Sequence, residues 1–479
     1  MAGGTKLLAA FTLALASTSL TDAALRPEVD KLVAAVSAAR HLPFHGALPA
    51  RALGREETRR AAALAVGEGM DNAAARTEEE ILKRLGLIPI GHGSGDFAAA
   101  TFAFGAPPAP RYDTATATLL VPSFLPLGSQ RARLAHEVAH AVADQRFGLR
   151  RFLRLAPDHG PRLDGDATRA RLALVEGDAV LTGFELADPR ENFLGAHALR
   201  TLAAQLRAAP PDPSPDSPAE VSEDASRAGP PSWFVQLGQF THVDGLLFVA
   251  RVRAHHPWTA VDALWGDPPA SSEQILHPEK YDTCEPAIAV DEGVLPSLPG
   301  FGRPTASDVL GELVVRTWLE SALPPEIAAR AAAGWGGDRA GLYVAAPSVA
   351  VADGGAPAPA ARLAPLAWLT VWDDAAEADD FARSARQVLA QMSKTSDAQN
   401  GAPPAGDEGD AFPTPGGTYA LARKGDAVAL LLAAPEPVAP VLAAMLDGAH
   451  PRPTRRAAPR PRRATQPDCP RRDRAAGSG

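Results

Sequence analysis

The segment LAHEVAHAVADQRF, Leu134 to Phe147, constrains this chain more than any other stretch. Leu134, Val138 and Val142 recur at helical spacing, and no Gly or Pro interrupts the run before Gly148, so it reads as one helix with Ser129 as N-cap and Gly148 as its end. His136 and His140 are four residues apart and therefore share a helix face, with Glu137 beside the first. Two imidazoles one turn apart can grip a single zinc ion while the neighbouring carboxylate stands next to a metal-bound water.

A reactive zinc needs a third protein ligand and an open fourth position. The pattern HExxHxxGxxH is excluded, because its Gly and last His fall on Ala143 and Arg146. Asp144 continues the histidine face but rises about 6 Å beyond His140. Glu176, 36 residues after His140 in LVEGDA, is the better candidate. It lies on a second helix, expected over Ala167–Leu186, where Gly177 would remove bulk as that helix approaches the first. A surface salt bridge is the other reading of Glu176, and a metal-free histidine pair the other reading of His136 and His140. Cys284 and Cys469 form neither a CxxC pair nor a disulfide framework, so the site must be built from His and carboxylates.

At 479 residues the chain has room for two or three domains. Residues 1–23 read as an export signal: one Lys, then the short apolar stretch Leu7–Leu20, then Thr21-Asp22-Ala23 as the cleavage junction, with the mature chain beginning near Ala24. A retained N-terminal helix is the competing reading. Helical spacing recurs over Arg26–Arg40, Arg55–Ala65 and Glu78–Leu87, and Tyr112–Val121 alternates as a single strand. Residues 208–232 are Pro-, Ser- and acid-rich and read as a disordered insertion. From residue 301 to 450 the pattern changes to a smaller α+β domain, with helices at Asp308–Glu320, Ala375–Met392 and Val438–Leu446. Its expected strands are Gly341–Ala345, Leu363–Trp372, Thr418–Ala422 and Ala427–Ala433, and residues 394–417 are expected to loop out. The tail, 451–479, carries nine arginines among prolines and reads as disordered. A formal charge of −9 argues against a nucleic-acid partner, and no later segment is long and apolar enough for a membrane span.

HEVAHAVADQRFGL followed by ALVEGDA resembles the gluzincins, the thermolysin-like zinc peptidases. With SSEQILHPEKY and GWGGDR added, the chain looks like a largely uncharacterised family of exported bacterial metallopeptidases that read HELxHALQDQ, EGDA and STEQVLHPEKY. The similarity extends from about Glu78 to Pro435. Val138 and Ala139 stand for the usual Leu and Thr, and Ala143 for a Gln. The resemblance implies an α+β chain: a mainly helical zincin-like catalytic domain over residues 24–300 with a small edge sheet, followed by the smaller α+β domain. It implies one Zn2+ on His136, His140 and Glu176, with Glu137 as general base. The oxyanion donor of such enzymes is a His or Tyr; His277 and Tyr281 are the candidates, with a plain structural role for their loop equally open. Thermolysin-like enzymes orient a zinc-bound histidine with an Asp four residues after the ligand Glu, where this chain has Val180. Asp144, Asp164 and Asp166 are candidates for that duty, and Asp178 should point away and serve in capping or an ion pair. GWGGDR, Gly334–Arg339, reads as a chain-reversing turn around a buried Trp.

The expected function is exported, zinc-dependent hydrolysis of peptide bonds in a peptide or protein substrate. A non-catalytic zinc-binding or scaffold protein of the cell envelope on the same fold is the alternative, which a closed four-ligand site would favour.

Overall fold

The computed structural model describes residues 20–70, 73–88, 108–155, 163–187, 195–208, 232–344, 364–400, 410–414 and 416–449. Residues 1–19, on which most of the expected export signal falls, the expected insertion from 209 to 231 and the tail from 450 onward lie outside them. The described chain is mixed α/β, a helical part followed by a six-stranded sheet.

Helix α1 (Asp22–Arg40) buries Leu25, Val29, Leu32 and Val36, an i, i+4, i+7, i+11 stripe, and ends on His41 in the left-handed region. The residues around the expected cleavage junction have structural partners. Leu20 N–H donates to the Ser123 carbonyl, the Thr21 side chain caps α1, and Asp22 Oδ1 accepts from Ala52 N–H at 2.7 Å. Strand β1 (Ala50–Leu53) and helices α2 (Arg55–Met70) and α3 (Ala73–Arg84) follow.

The single strand expected over Tyr112–Val121 is a hairpin of β2 (Arg111–Asp113) and β3 (Thr118–Pro122). Asp113 makes the turn: its carboxylate accepts from Ala115 N–H and the Thr116 hydroxyl, and Ala117 follows with φ 48°. The small sheet has the order β1-β3-β2, so β3 is central and only the three-residue β2 is an edge beside the next helix.

That helix, α4 (Leu127–Phe147), carries the HExxH motif and ends at Gly148, φ 73°. It starts two residues before Ser129, whose hydroxyl donates to the Pro126 carbonyl instead of capping. Helix α5 (Gly165–Ala187) carries Glu176 and packs on both α1 and α4. After α6 (Ala196–Ala208) and α7 (Ser232–Gln239), one turn of π-helix (Phe240–Asp244) leads into α8 (Gly245–Arg253), and α9 (Trp258–Gly266) follows. The SSEQILHPEKY segment forms two short helices, α10 (Ser272–Leu276) and α11 (Pro278–Asp282).

The large sheet has the order β4-β5-β6-β9-β8-β7 and every pairing in it is antiparallel. Its strands are β4 (Ala306–Asp308), β5 (Trp335–Leu342), β6 (Leu366–Trp372), β7 (Ala411–Thr414), β8 (Gly417–Lys424) and β9 (Ala427–Ala434). Helices α12 (Gly311–Glu320), α13 (Pro325–Ala332) and α14 (Ala375–Asn400) belong to one core with Trp335, Trp368 and Trp372, and α15 (Ala439–Gly448) packs in a second. β6 and β9 are buried along their whole length, which is why they read as apolar runs and not as alternating strands. The larger core continues without a break from α1, α4 and α5 to Trp318, Trp368 and Phe381.

Two expectations are corrected here. Gly334–Arg339 is not a turn: Trp335 opens β5, buried, and its indole N–H donates to Asp338, which also accepts from the Leu310 and Gly311 N–H groups. Glycine is needed at 337 because the Ile288 carbonyl lies where its Cβ would be, while a Cβ at 336 would meet the tip of the Ile288 side chain. The loop expected over 394–417 is shorter, since α14 runs to Asn400, the residue before Gly401, and β7 begins at Ala411.

Candidate metal centre

His136 and His140 project from successive turns of α4, and α5 brings Glu176 to them. His136 Nε2 lies 3.1 Å and His140 Nε2 3.3 Å from Glu176 Oε2, and the two imidazole nitrogens are 3.0 Å apart. The three side chains named as ligands from the sequence are therefore brought together. A fourth joins them: His242, from the π-helical turn, has Nε2 3.4 Å from Glu176 Oε2, and its ring lies nearly parallel to that of His136. His242 Nδ1 is 3.1 Å from the Gly238 carbonyl. A carbonyl only accepts, so this bond places the proton on Nδ1 and leaves the Nε2 lone pair facing the cluster.

The crossing of α5 with α8 sets this arrangement. A Cβ at Gly177 would overlap the Gly245 carbonyl, and a Cβ at Gly245 would overlap the carbonyl of Ala173. Gly177 thus serves contact with α8, not with α4 as its position beside Glu176 suggested. The π-helical turn inserts one residue just before this crossing and turns His242 toward Glu176.

The separations among His136, His140 and Glu176, 3.0 to 3.3 Å, are compatible with a single tetrahedral cation such as zinc, whose donors stand about 3.4 Å apart. Several lone pairs aimed at one point repel unless a proton or a cation lies between them. The charges reflect this: burial alone would lower His140, but the Glu176 carboxylate lifts it to about 9. Burial lowers His136, and despite burial the histidines around it hold Glu176 well below the usual carboxylate range.

Glu137 is half-buried beside the cluster, and its charge acts on both His136 and His140. Its Oε2 accepts the backbone N–H of Tyr112 on edge strand β2 at 2.7 Å, which fixes the carboxylate between strand and helix.

The remaining site candidates have other partners. His277 Nε2 is 2.9 Å from Glu312 Oε1, and the Tyr281 hydroxyl donates to the Asp267 carbonyl at 2.8 Å. The structure does not bring either into the Glu176 cluster; both brace the helical part where α12 and the α9–α10 connection meet. Asp144 accepts from the Tyr112 hydroxyl and Leu149 N–H, Asp164 caps α5 at Ala167 N–H, and Asp166 accepts Ser272 N–H, so none of the three orients a zinc-side histidine. Asp178 is ion-paired as expected, bidentate with Arg40 at 2.7 and 2.8 Å, and also accepts the Trp265 indole N–H. Cys284 takes part in a disulfide, a role its lone position in the ordered sequence did not suggest, while Cys469 lies outside the described residues. A second acidic group, Glu273, Glu285 and Asp373, surrounds the Lys280 ammonium, which supplies its cation.

No direct signal for His242 is legible in the sequence, since FTHVDG continues an apolar helical stretch and one inserted residue leaves no mark in periodicity. Gly238 and Gly245, bracketing a His, were the available hint.

Residues 299–442 match a family described as Domain of unknown function (DUF8575). The match covers the large sheet and excludes the candidate metal centre. No curated protein and no solved structure matches the chain.

Proposed function

We propose that the chain is an exported zinc-dependent peptidase of the zincin kind, with one Zn2+ held by His136, His140 and Glu176. The observation that carries this reading is the convergence of those three donors from two helices, with Glu137 fixed alongside. Bound there, zinc supplies the Lewis acidity that makes a water molecule nucleophilic near neutral pH. Glu137 takes the proton of that water as its oxygen attacks the amide carbon and returns the proton to the departing nitrogen. The Tyr112 N–H keeps the carboxylate oriented for both transfers. The platform for an extended substrate is shorter than a full strand, because β2 has three residues and its Tyr112 N–H is engaged with Glu137.

The test is zinc content together with cleavage of casein or a peptide, with and without a chelator. One zinc per chain and chelator-sensitive cleavage, lost in Glu137→Gln with zinc retained, supports the reading; native-rate cleavage by Glu137→Gln would sink it.

His242 favours a second reading, a closed four-ligand zinc site in an envelope scaffold protein, because its Nε2 lone pair also faces Glu176. His242→Phe separates the two. A catalytic His242 outside the metal shell gives a variant that retains zinc and loses kcat, whereas a ligand gives a variant with weakened zinc binding, from a parent that cleaves nothing.

A further inference from the structure

A cavity of about 680 Å3 lies between α1, α4 and α5, with Leu32, Ala135, Val180 and Phe184 among its apolar walls. Of the residues in the metal centre only His136 lines it; Glu137, His140, Glu176 and His242 do not. His136 is thus the one member of the cluster through which a molecule in the cavity could act on the other donors.

The His136 ring uses Nε2 toward Glu176 and His140, and its Nδ1 has no hydrogen-bond partner among the described residues. A metal-bound imidazole ordinarily donates its second N–H to a carboxylate or carbonyl, which fixes the ring and raises its basicity. Val180, one turn beyond Glu176 on the same helix, presents an isopropyl group to the cavity that His136 lines. Space is available for a ligand there: Gly128 and Gly183 both line the cavity, and a Cβ on either would meet nothing within 4 Å. The rim carries Lys31 and Arg131. Lys31 is paired with Glu28 at 2.7 Å, while Arg131 makes no hydrogen bond or ion pair among the described residues, so the rim keeps a net positive charge.

We propose that this cavity binds a medium-chain fatty acid whose carboxylate accepts the Nδ1–H of His136 while its alkyl chain lies against Leu32, Val180 and Phe184, and that the bound acid tightens the metal centre. The inference rests on the metal reading above. Since both ligands act on one imidazole, the coupling is reciprocal: zinc strengthens binding of the acid by the same factor.

The experiment measures zinc affinity of the full chain by chelator competition, in octanoate and in octanol. Octanoate is expected to tighten zinc binding tenfold or more, the range set by partners of metal-bound histidines, and octanol to leave it unchanged. Val180→Asp supplies the carboxylate from the protein, so it tightens zinc binding by itself and ends the response to octanoate. Gly183→Phe fills the cavity and also ends the response, judged against its own octanoate-free affinity. Equal zinc affinity in octanoate and octanol, or a full octanoate response in Gly183→Phe, overturns the proposal. A chain that binds no zinc under any condition removes the metal reading and this inference together; one that binds zinc and cleaves peptides without responding to octanoate removes the inference alone.

Discussion

Two regions of this molecule concentrate histidines and acids, and they use them in opposite ways. Around Lys280 the charges close on one another: the ammonium sits 2.6 Å from both Glu273 and Asp373 and 3.2 Å from Glu285, and His277 pairs with the buried Glu312. Around Glu176 one carboxylate faces three imidazoles, two of whose nitrogens stand 3.0 Å apart, and among the described residues no Lys or Arg pairs with it. Around Lys280 a fixed ammonium is the counterion, whereas around Glu176 that role falls to an imidazole proton or to a bound cation. Both regions come from equally conspicuous motifs, HEVAH and HPEKY, so the motif alone does not tell which is which.

The sharpest break between the regions is expected from Glu137→Gln, which should lower peptide turnover by about 10²–10⁴-fold while the urea midpoint of unfolding stays within error of the parent. A large loss of stability with unchanged turnover would move Glu137 into the structural class. Lys280→Met should do the reverse. Removing the cation leaves Glu273 buried and uncompensated, costing roughly 3 kcal/mol of folding stability, while zinc stoichiometry at low temperature remains that of the parent. Zinc loss in the folded Lys280→Met protein would show that the two regions are coupled.

The smallest effect concerns pH. Burial pushes Asp166 and Asp308 up to about 7, against the nearby charge of Arg169. Between about pH 4 and 7 the folded chain holds protons that the unfolded chain has released, so their contribution to stability is full below pH 4 and is lost as pH climbs to 7. His277, raised by Glu312, adds to the same trend above its unfolded value of 6.5. Glu176 works the other way, but its value is depressed and its contribution fades only below about 4.5. Urea midpoints should therefore fall from pH 5 to pH 7, and Asp166→Asn should flatten that slope by on the order of 2 kcal/mol. A slope unchanged in Asp166→Asn would assign the pH dependence to other groups.

Local periodicity made much of this legible. Helix α4 with its two histidines, helix α5 with Glu176, and the apolar runs of β6 and β9 were all readable because each depends on residues close in sequence. One failure was local: Asp113 turns an apparent strand into a hairpin through Ala115 and Thr116. The others were set by contacts distant in sequence, where Ile288 fills the space beside Gly337 and His277 and Tyr281 find their partners in Glu312 and Asp267. His242 needed both an inserted helical residue and a helix crossing, neither of which leaves a period to detect.

The touching main chains at Gly177 and Gly245 have a further consequence. Where helices meet through side chains, drift in the core shifts their spacing by a methylene at a time. Here the separation of Glu176 from His242 is gauged mainly by peptide groups, whose size is the same whatever the sequence. A side chain added at either glycine would push the two donors apart, which makes these positions the least replaceable in the crossing.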